Sequence, residues 1–398
     1  MGRNFNLLNC VQFLDALNEN LFKYIVVYFL IFYQGRENAS LILSITGAVF
    51  VLPFLLFSPL GGCFADRVSK TKIIQITRLI QIGVMGLALL LVFYGGVNGM
   101  YLVLFADTTL SALFGPSKYG IISEIVPERQ WLKANGSIAA FTFFGIIFGT
   151  ALASALDTLT GERFPWMIGA CLAISLLGAS LSYFIAETKP ASAAKPWPRW
   201  IYKEISDALS EMSQKPLMLT AVFCYGYLLF MGAFIQMNII PYSVSALHRN
   251  PAVGGYLFLF SSVGVCVGSL IAARLSGRLN ALPWAVLGMS AGCFLFTHIS
   301  SPFWINIVWL IGVGIFGGLV LVPSQAFILS NSRPENKGRN FATANFFSFV
   351  FALFAAGVLY VFNTLLSMSP QMSFTGVGIL NAAVATALFF AVRPKKVY

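Results

Sequence analysis

The sequence predicts an all-α integral membrane protein with twelve transmembrane helices. They form two pseudo-symmetric six-helix bundles with both termini cytoplasmic. Three observations predict this. First, 58% of the 398 residues are hydrophobic and only 10% are charged, with a mean hydropathy of +0.81. That composition excludes an ordinary water-soluble globule. Second, apolar runs recur along the chain at roughly 8–33, 41–64, 73–94, 100–124, 133–157, 164–186, 217–243, 253–274, 282–299, 303–330, 340–366 and 372–392. Each can span a hydrocarbon core of ~30 Å. Third, the cations are unevenly distributed between alternate loops.

Of the 25 Lys and Arg, 19 fall at the N-terminus, in the even-numbered loops and at the C-terminus. They are Arg3; Arg67, Lys70 and Lys72; Arg129 and Lys133; Lys189, Lys195, Arg199, Lys203 and Lys215; Arg274 and Arg278; Arg333, Lys337 and Arg339; and Arg393, Lys395 and Lys396. The odd loops hold Arg36, Arg163 and Arg249, while Lys23, Arg78 and Lys118 lie within spans. By the positive-inside rule, both termini and the long middle loop are expected in the cytoplasm. The net charge of +11 then reflects topology and attraction to anionic lipid, not nucleic-acid binding. Alternation with period two is absent, which argues against a β-barrel. The first apolar run is too long for a signal-peptide core and lacks a small-residue cleavage site.

Run 1 carries Asp15, Glu19 and Lys23 at i, i+4 and i+8, a polar stripe on one helix face. A charge at the centre of a membrane helix costs about 2.5–3.5 kcal/mol on insertion scales. Three in one span call for a wet, protein-lined cavity. Run 2 contains Pro53 and Pro59 and ends in Gly62-Cys-Phe-Ala-Asp66-Arg67-Val-Ser-Lys70, an acid–base cluster at the membrane boundary. Arg78 lies ~9 Å into run 3 at 1.5 Å per residue, and is expected to snorkel outward or join that cluster. Run 4 holds Asp107 near its outer end and Gly115-Pro116-Ser117-Lys118-Tyr119 near its inner end. The Gly-Pro pair is expected to kink the helix where it lines a cavity. Asp107 suits either a water-exposed rim or the interior.

Residues 189–216 form a hydrophilic linker between a bundle over 1–188 and a second over 217–398. Ile201, Ile205, Ala208, Leu209 and Met212 recur at helical spacing, with Lys203, Glu204, Asp207 and Glu211 between them. This is an amphipathic helix expected to lie on the cytoplasmic face. The second half repeats the first. Pro116-Ser117 is followed by Pro127-Glu128, and Pro323-Ser324 by Pro334-Glu335, eleven residues from Pro to Pro each time. The acid–base loop has a worn copy, Gly268 to Arg274, with Ala273 in place of the acid. Candidate cavity residues of the second half are neutral: Gln236, Asn238, Gln325 and Asn345. Each also suits an ordinary interhelical hydrogen bond. Six cysteines and two histidines show no metal-ligand or disulfide spacing, so neither a cofactor nor a metal is expected.

The Gly62-x-x-x-Asp66-Arg67-x-x-Lys70 loop in a twelve-run chain resembles the loop signature of the major facilitator superfamily. The resemblance implies parallel halves that rock about a central site. It also implies a cytoplasmic gate latched by Gly62, Asp66, Arg67 and Lys70, with Arg274 in the worn copy. Gln12-Phe13-Leu14 through Asn18-Glu19-Asn20-Leu21-Phe22-Lys23 resembles helix 1 of bacterial lysophospholipid transporters. Phe114-Gly-Pro-Ser-Lys118-Tyr119-Gly-Ile121 resembles their helix 4. Glu19 stands where that family usually has Asp, and Asp15 is extra.

The resemblance implies a flippase-like transporter in the bacterial inner membrane. It would carry lysophospholipid, such as lysophosphatidylethanolamine, from outer to inner leaflet for a cytoplasmic acyltransferase, and would act as a monomer. Lys118 would hold the phosphate, Glu19 with Asp15 the ammonium, and Asn20 and Tyr119 would add hydrogen bonds. A proton-coupled exporter or importer of a soluble metabolite, siderophore or drug fits the same carboxylates. An intramembrane enzyme does not fit, because no nucleophile–base pairing is suggested.

Overall fold

In a computed structural model, the described residues are 2–35, 38–94, 96–161, 163–192, 196–249, 251–275, 279–298 and 303–392. Arg36, Lys195, Ser276, Arg278, Arg393, Lys395 and Lys396 lie outside them. The described residues hold helices and no strand. In chain order these are α1 (Arg3–Gln34), α2 (Ala39–Arg67), α3 (Lys70–Phe93), α4 (Val97–Gly120), α5 (Ile122–Ile125), α6 (Trp131–Thr160) and α7 (Phe164–Ser182). They continue as α8 (Lys203–Ser213), α9 (Met218–Ser245), α10 (Pro251–Ala272), α11 (Leu282–His298), α12 (Phe303–Asn331), α13 (Lys337–Tyr360) and α14 (Pro370–Val392).

Ten helical segments among the described residues are long and apolar enough to cross a membrane, and Leu279–Leu295 is a shorter apolar helix. The remaining long helix, α1, carries the charged stripe. Local sequence explains several boundaries. Ser69 caps α3, its hydroxyl accepting the Lys72 amide at 3.4 Å. Gly161 closes α6 in the left-handed region, with φ 57°. The Gly115-Pro116 pair does not end α4, which continues to Gly120 and resets at Ile121 before the single turn of α5. α8 buries Ile205, Ala208 and Met212, the apolar face read from the sequence.

The chain divides into two compact units. The first comprises 1–130, 141–208 and 332–346, and the second 131–140, 209–331 and 347–398. In the first, α1 packs on α2, α4 and α7, α2 on α4, and α3 on α4 and α7. The same set recurs in the second: α9 on α10, α12 and α14, α10 on α12, and α11 on α12 and α14. This equivalence is the structural form of the internal repeat. Each unit has its own apolar core. Leu21, Phe22, Ile25, Phe29, Met85, Leu104 and Met167 lie in the first, and Phe230, Phe234, Met289, Leu310 and Phe374 in the second. On α1 the first core runs from Leu17 to Leu30, and Glu19 and Lys23 interleave with it.

Candidate functional site

α1 and α4 meet along a polar seam inside the first unit. The seam follows from spacing. Asp15, Glu19 and Lys23 share one face of α1, while Asp107, Ser111, Phe114 and Lys118 share one face of α4. Asp15 is 5% exposed and forms an ion pair with Arg78, which is 1% exposed. Arg78 also donates to Gln81 Oε1 at 2.9 Å, and Gln81 Nε2 donates to Asp107 Oδ1 at 2.9 Å. Its guanidinium lies 4.6 Å from the centre of the Phe114 ring. Arg78 therefore points into the bundle; the expectation that it snorkels outward is wrong. Burying Asp15 without a cation would cost several kcal/mol, about 3–5 by analogy with other broken buried pairs. Pairing outweighs the modest gain from snorkelling. Asp107 is fully buried, which excludes the rim position for it.

Glu19 is half-buried and one of its oxygens, Oε1, has no hydrogen-bond partner. The charges of Asp107, Lys23 and Lys118 act on it, and it faces the Ser111 side chain. Lys118 is buried but makes no ion pair within 4.0 Å among the described residues; its ammonium rests over Tyr119 at 4.7 Å and Phe114 at 5.7 Å. Lys23 lies similarly over Phe50 at 4.7 Å and Tyr24 at 5.1 Å. Cation–π contacts hold these ammonium groups without neutralising them. Asn20 is buried and donates to the Ala16 carbonyl of its own helix at 2.8 Å. Gln12 and Asn18 tie α1 to Thr142 and Ser175 at 3.0 and 2.9 Å. Their role is to hold the helix in place.

A second cluster lies at the α2–α3 loop. Asp66 is fully buried and accepts the backbone amides of Gly338 at 2.7 Å and Arg339 at 2.9 Å, in the first turn of α13. A carboxylate at a helix N-terminus satisfies orphan amides and complements the helix dipole. The approach requires small residues. A Cβ at Gly62 would come within 2.5 Å of the Ala342 Cβ, and one at Gly338 would come 2.7 Å from Asp66 Oδ1. Arg67 donates to Glu204 at 2.8 Å and to the Pro196 carbonyl at 2.9 Å, and stacks over Trp197. Glu204 also lies 3.8 Å from Arg339. Lys70 pairs with Glu124 at 2.5 Å, and the Tyr119 ring stacks on Phe341 at 5.0 Å.

The neutral candidates of the second half occupy different settings. Asn238 is buried and donates to the Pro370 carbonyl at 2.7 Å, an interhelical bond. Gln325 is buried and Gln236 is exposed. Asn345 falls in the first unit, where it donates to Ser58 at 3.4 Å. Arg274 is exposed. Beside it Ala273 packs against Gly136, where an added Cβ would come within 2.5 Å of the Ala273 Cβ. The worn copy thus keeps the small-residue approach without an acid. All six cysteines are free thiols, and no group of three or more metal-ligating side chains occurs among the described residues.

The sequence profile of the Major Facilitator Superfamily matches residues 8–356 and again 222–397. The chain belongs to the major facilitator superfamily. It is a multi-pass membrane transporter, not an enzyme. Among curated relatives, the "Lysophospholipid transporter LplT" of Klebsiella pneumoniae is 25% identical over 405 residues, covering 97% of this chain and 95% of that one. The protein of the same name from Photorhabdus laumondii is 28% identical over 305 residues, covering 72% and 70%. Two solved structures share the fold. The human organic anion transporter MFSD10 superposes with a TM-score of 0.77 at 14% identity, covering 99% of this chain and all of that one. The Escherichia coli fucose:proton symporter FucP also gives 0.77, at 13% identity and 98% coverage of each.

Within this superfamily member, sequence reasoning missed Gln81, Ser111 and Glu204 as site neighbours. Gln81 and Ser111 are common in membrane helices and carry no charge signal. Glu204 read as one acid among several on the amphipathic linker. Its four-residue offset from Ala208, on the buried face, was the one available sign.

Proposed function

We propose that this protein moves lysophospholipids such as lysophosphatidylethanolamine across the bacterial inner membrane, from the outer to the inner leaflet. The observation that carries this reading is the α1–α4 seam. It holds a buried ammonium, Lys118, that rests on aromatic rings and makes no ion pair within 4.0 Å among the described residues, and a carboxylate, Glu19, with an unpaired oxygen. A zwitterionic headgroup supplies the missing partners: its phosphate to Lys118 and its ammonium to Glu19. An apolar groove of about 330 Å³ lies on the other side of α1 from the charged stripe. Phe13 and Leu17 of α1 line it with Phe148, Ala151, Leu152 and Ala155 of α6. Phe13 and Leu17 sit two turns and one turn from Asn20 on the same α1 face, and in this reading the single acyl tail lies there while the headgroup occupies the seam. This arrangement spares the headgroup a passage through hydrocarbon.

Twelve spans, cytoplasmic termini and two bundles, 1–188 and 217–398 joined by 189–216, complete the reading. Transport proceeds by alternating access. The Asp66–Gly338 contact is the cytoplasmic latch, with Gly62, Arg67 and Lys70 shaping it and Ala273–Arg274 as its uncharged counterpart. The transporter works as a monomer and feeds a cytoplasmic acyltransferase. Proton-coupled transport of a soluble solute is the second reading, favoured by the buried Asp15–Arg78–Gln81–Asp107 network. Purified protein in liposomes with lysophosphatidylethanolamine in the outer leaflet decides between them. Movement of that lipid without a pH gradient supports the first. Strict dependence on the gradient, or no lipid movement, supports the second.

A further inference from the structure

We propose that the linker stretch from Trp197 to Lys203 is a docking surface for anionic phospholipid headgroups, and that docking there steadies the Asp66 latch. The inner face of the stretch is held by the latch cluster. Arg67 donates to the Pro196 carbonyl and stacks over Trp197, and the Phe64 ring meets Trp197 edge-on at 5.3 Å. Glu204, the next residue, turns inward to Arg67 and Arg339. Upstream, the Ser192 amide donates to the Asp66 carbonyl at 2.8 Å.

The outer face is aromatic and basic. Trp197, Trp200 and Tyr202 are 53%, 66% and 36% exposed, and Arg199 and Lys203 are exposed among them. The apolar residues of α8 are not available to a membrane, because Ile205, Ala208 and Met212 are buried. Depth decides what covers the stretch before that helix. The Tyr202 hydroxyl donates to the Leu56 carbonyl at 3.4 Å, and its ring meets Phe346 at 6.4 Å. Leu56 lies well inside the apolar span Leu41–Arg67, about 16 Å from Arg67 at 1.5 Å per residue. The stretch therefore lies along the flank of α2, at the boundary between headgroups and acyl chains. Trp and Tyr favour that layer, and Arg and Lys reach phosphates from it. Charge sets the class of lipid. Glu204 is buried, and Asp207 is the one exposed acid between 196 and 207, against two exposed cations. The positive excess favours an anionic headgroup over a zwitterionic one.

The link to the latch rests on the proposed role of Asp66, whereas the docking surface does not depend on what the protein carries. Hydrogen–deuterium exchange of the full-length protein in lipid nanodiscs tests both. Discs of phosphatidylcholine alone are compared with discs of phosphatidylcholine mixed with phosphatidylglycerol. The anionic lipid is expected to slow exchange at 197–203 and at 337–342 by about threefold or more. Arg199→Gln combined with Lys203→Gln should abolish that slowing and leave exchange in phosphatidylcholine unchanged. Equal exchange at 197–203 in the two membranes, or a slowing that survives the double variant, would overturn the docking surface and leave that face to water or to a protein partner. Slowing at 197–203 with none at 337–342 would overturn its link to the latch.

Discussion

Asp66 holds the start of α13 by accepting the Gly338 amide at 2.7 Å, and the contact forms only because residue 338 has no side chain. An interaction of this kind is worth about 1–2 kcal/mol, a factor of about 5–30 in a conformational equilibrium. Under the proposed mechanism, that is strong enough to bias a gate and weak enough to be released in every cycle. In Asp66→Asn, hydrogen–deuterium exchange at residues 337–342 should accelerate by about that factor, with the rest of α13 unchanged. Unaltered exchange there would show that the acid does not latch the helix.

Glu204 joins this cluster from the linker helix, facing Arg67 at 2.8 Å and Arg339 at 3.8 Å. Glu204→Gln leaves two buried guanidinium groups without their carboxylate. Transport should fall about threefold to tenfold, with faster exchange at both 64–68 and 337–342. An effect confined to the linker would reduce Glu204 to a local contact.

The Asp15–Arg78 pair supports the α1 stripe from behind. Removing one partner strands the other, and Arg78→Met should cost about 3–5 kcal/mol of stability. The double change Asp15→Asn with Arg78→Met should be closer to wild type than the sum of the single changes. Additive losses of melting temperature would mean that the two side chains do not depend on each other.

The groove beside Leu17 is lined by small residues on α6, Ala151 and Ala155. Ala155→Trp fills it. Transport of an 18-carbon lysolipid should drop about tenfold, while that of an 8-carbon analogue should change little. Equal loss for both chain lengths would place the tail elsewhere.

Much of the fold was legible because hydropathy and cation placement are coarse, long-range signals. Among the described residues ten apolar helices are long enough to cross a membrane, Pro116 and Pro323 lie inside α4 and α12, and α8 buries its apolar face. The site was legible only where charge broke an apolar run. Glu19, Asp15 and Lys118 stood out for that reason, whereas Gln81 and Ser111 did not. Arg78 was misjudged because depth along a helix says nothing about which neighbour a long side chain will meet. Asp15, sixty-three residues away, decided its direction. α4 stays helical through Pro116 to Gly120, with Ile121 between it and the single turn of α5.

The central claim is that Glu19 and Lys118 hold a lysophospholipid headgroup during transfer between leaflets. The most direct measurement is the rate at which lysophosphatidylethanolamine leaves the outer leaflet of liposomes containing the purified protein. It should be made for wild type, Glu19→Gln, Lys118→Ala and Lys118→Arg. Wild type should move the lipid, Glu19→Gln and Lys118→Ala should lose about tenfold or more, and Lys118→Arg should retain part of the activity. Movement at the wild-type rate in both Glu19→Gln and Lys118→Ala would contradict it.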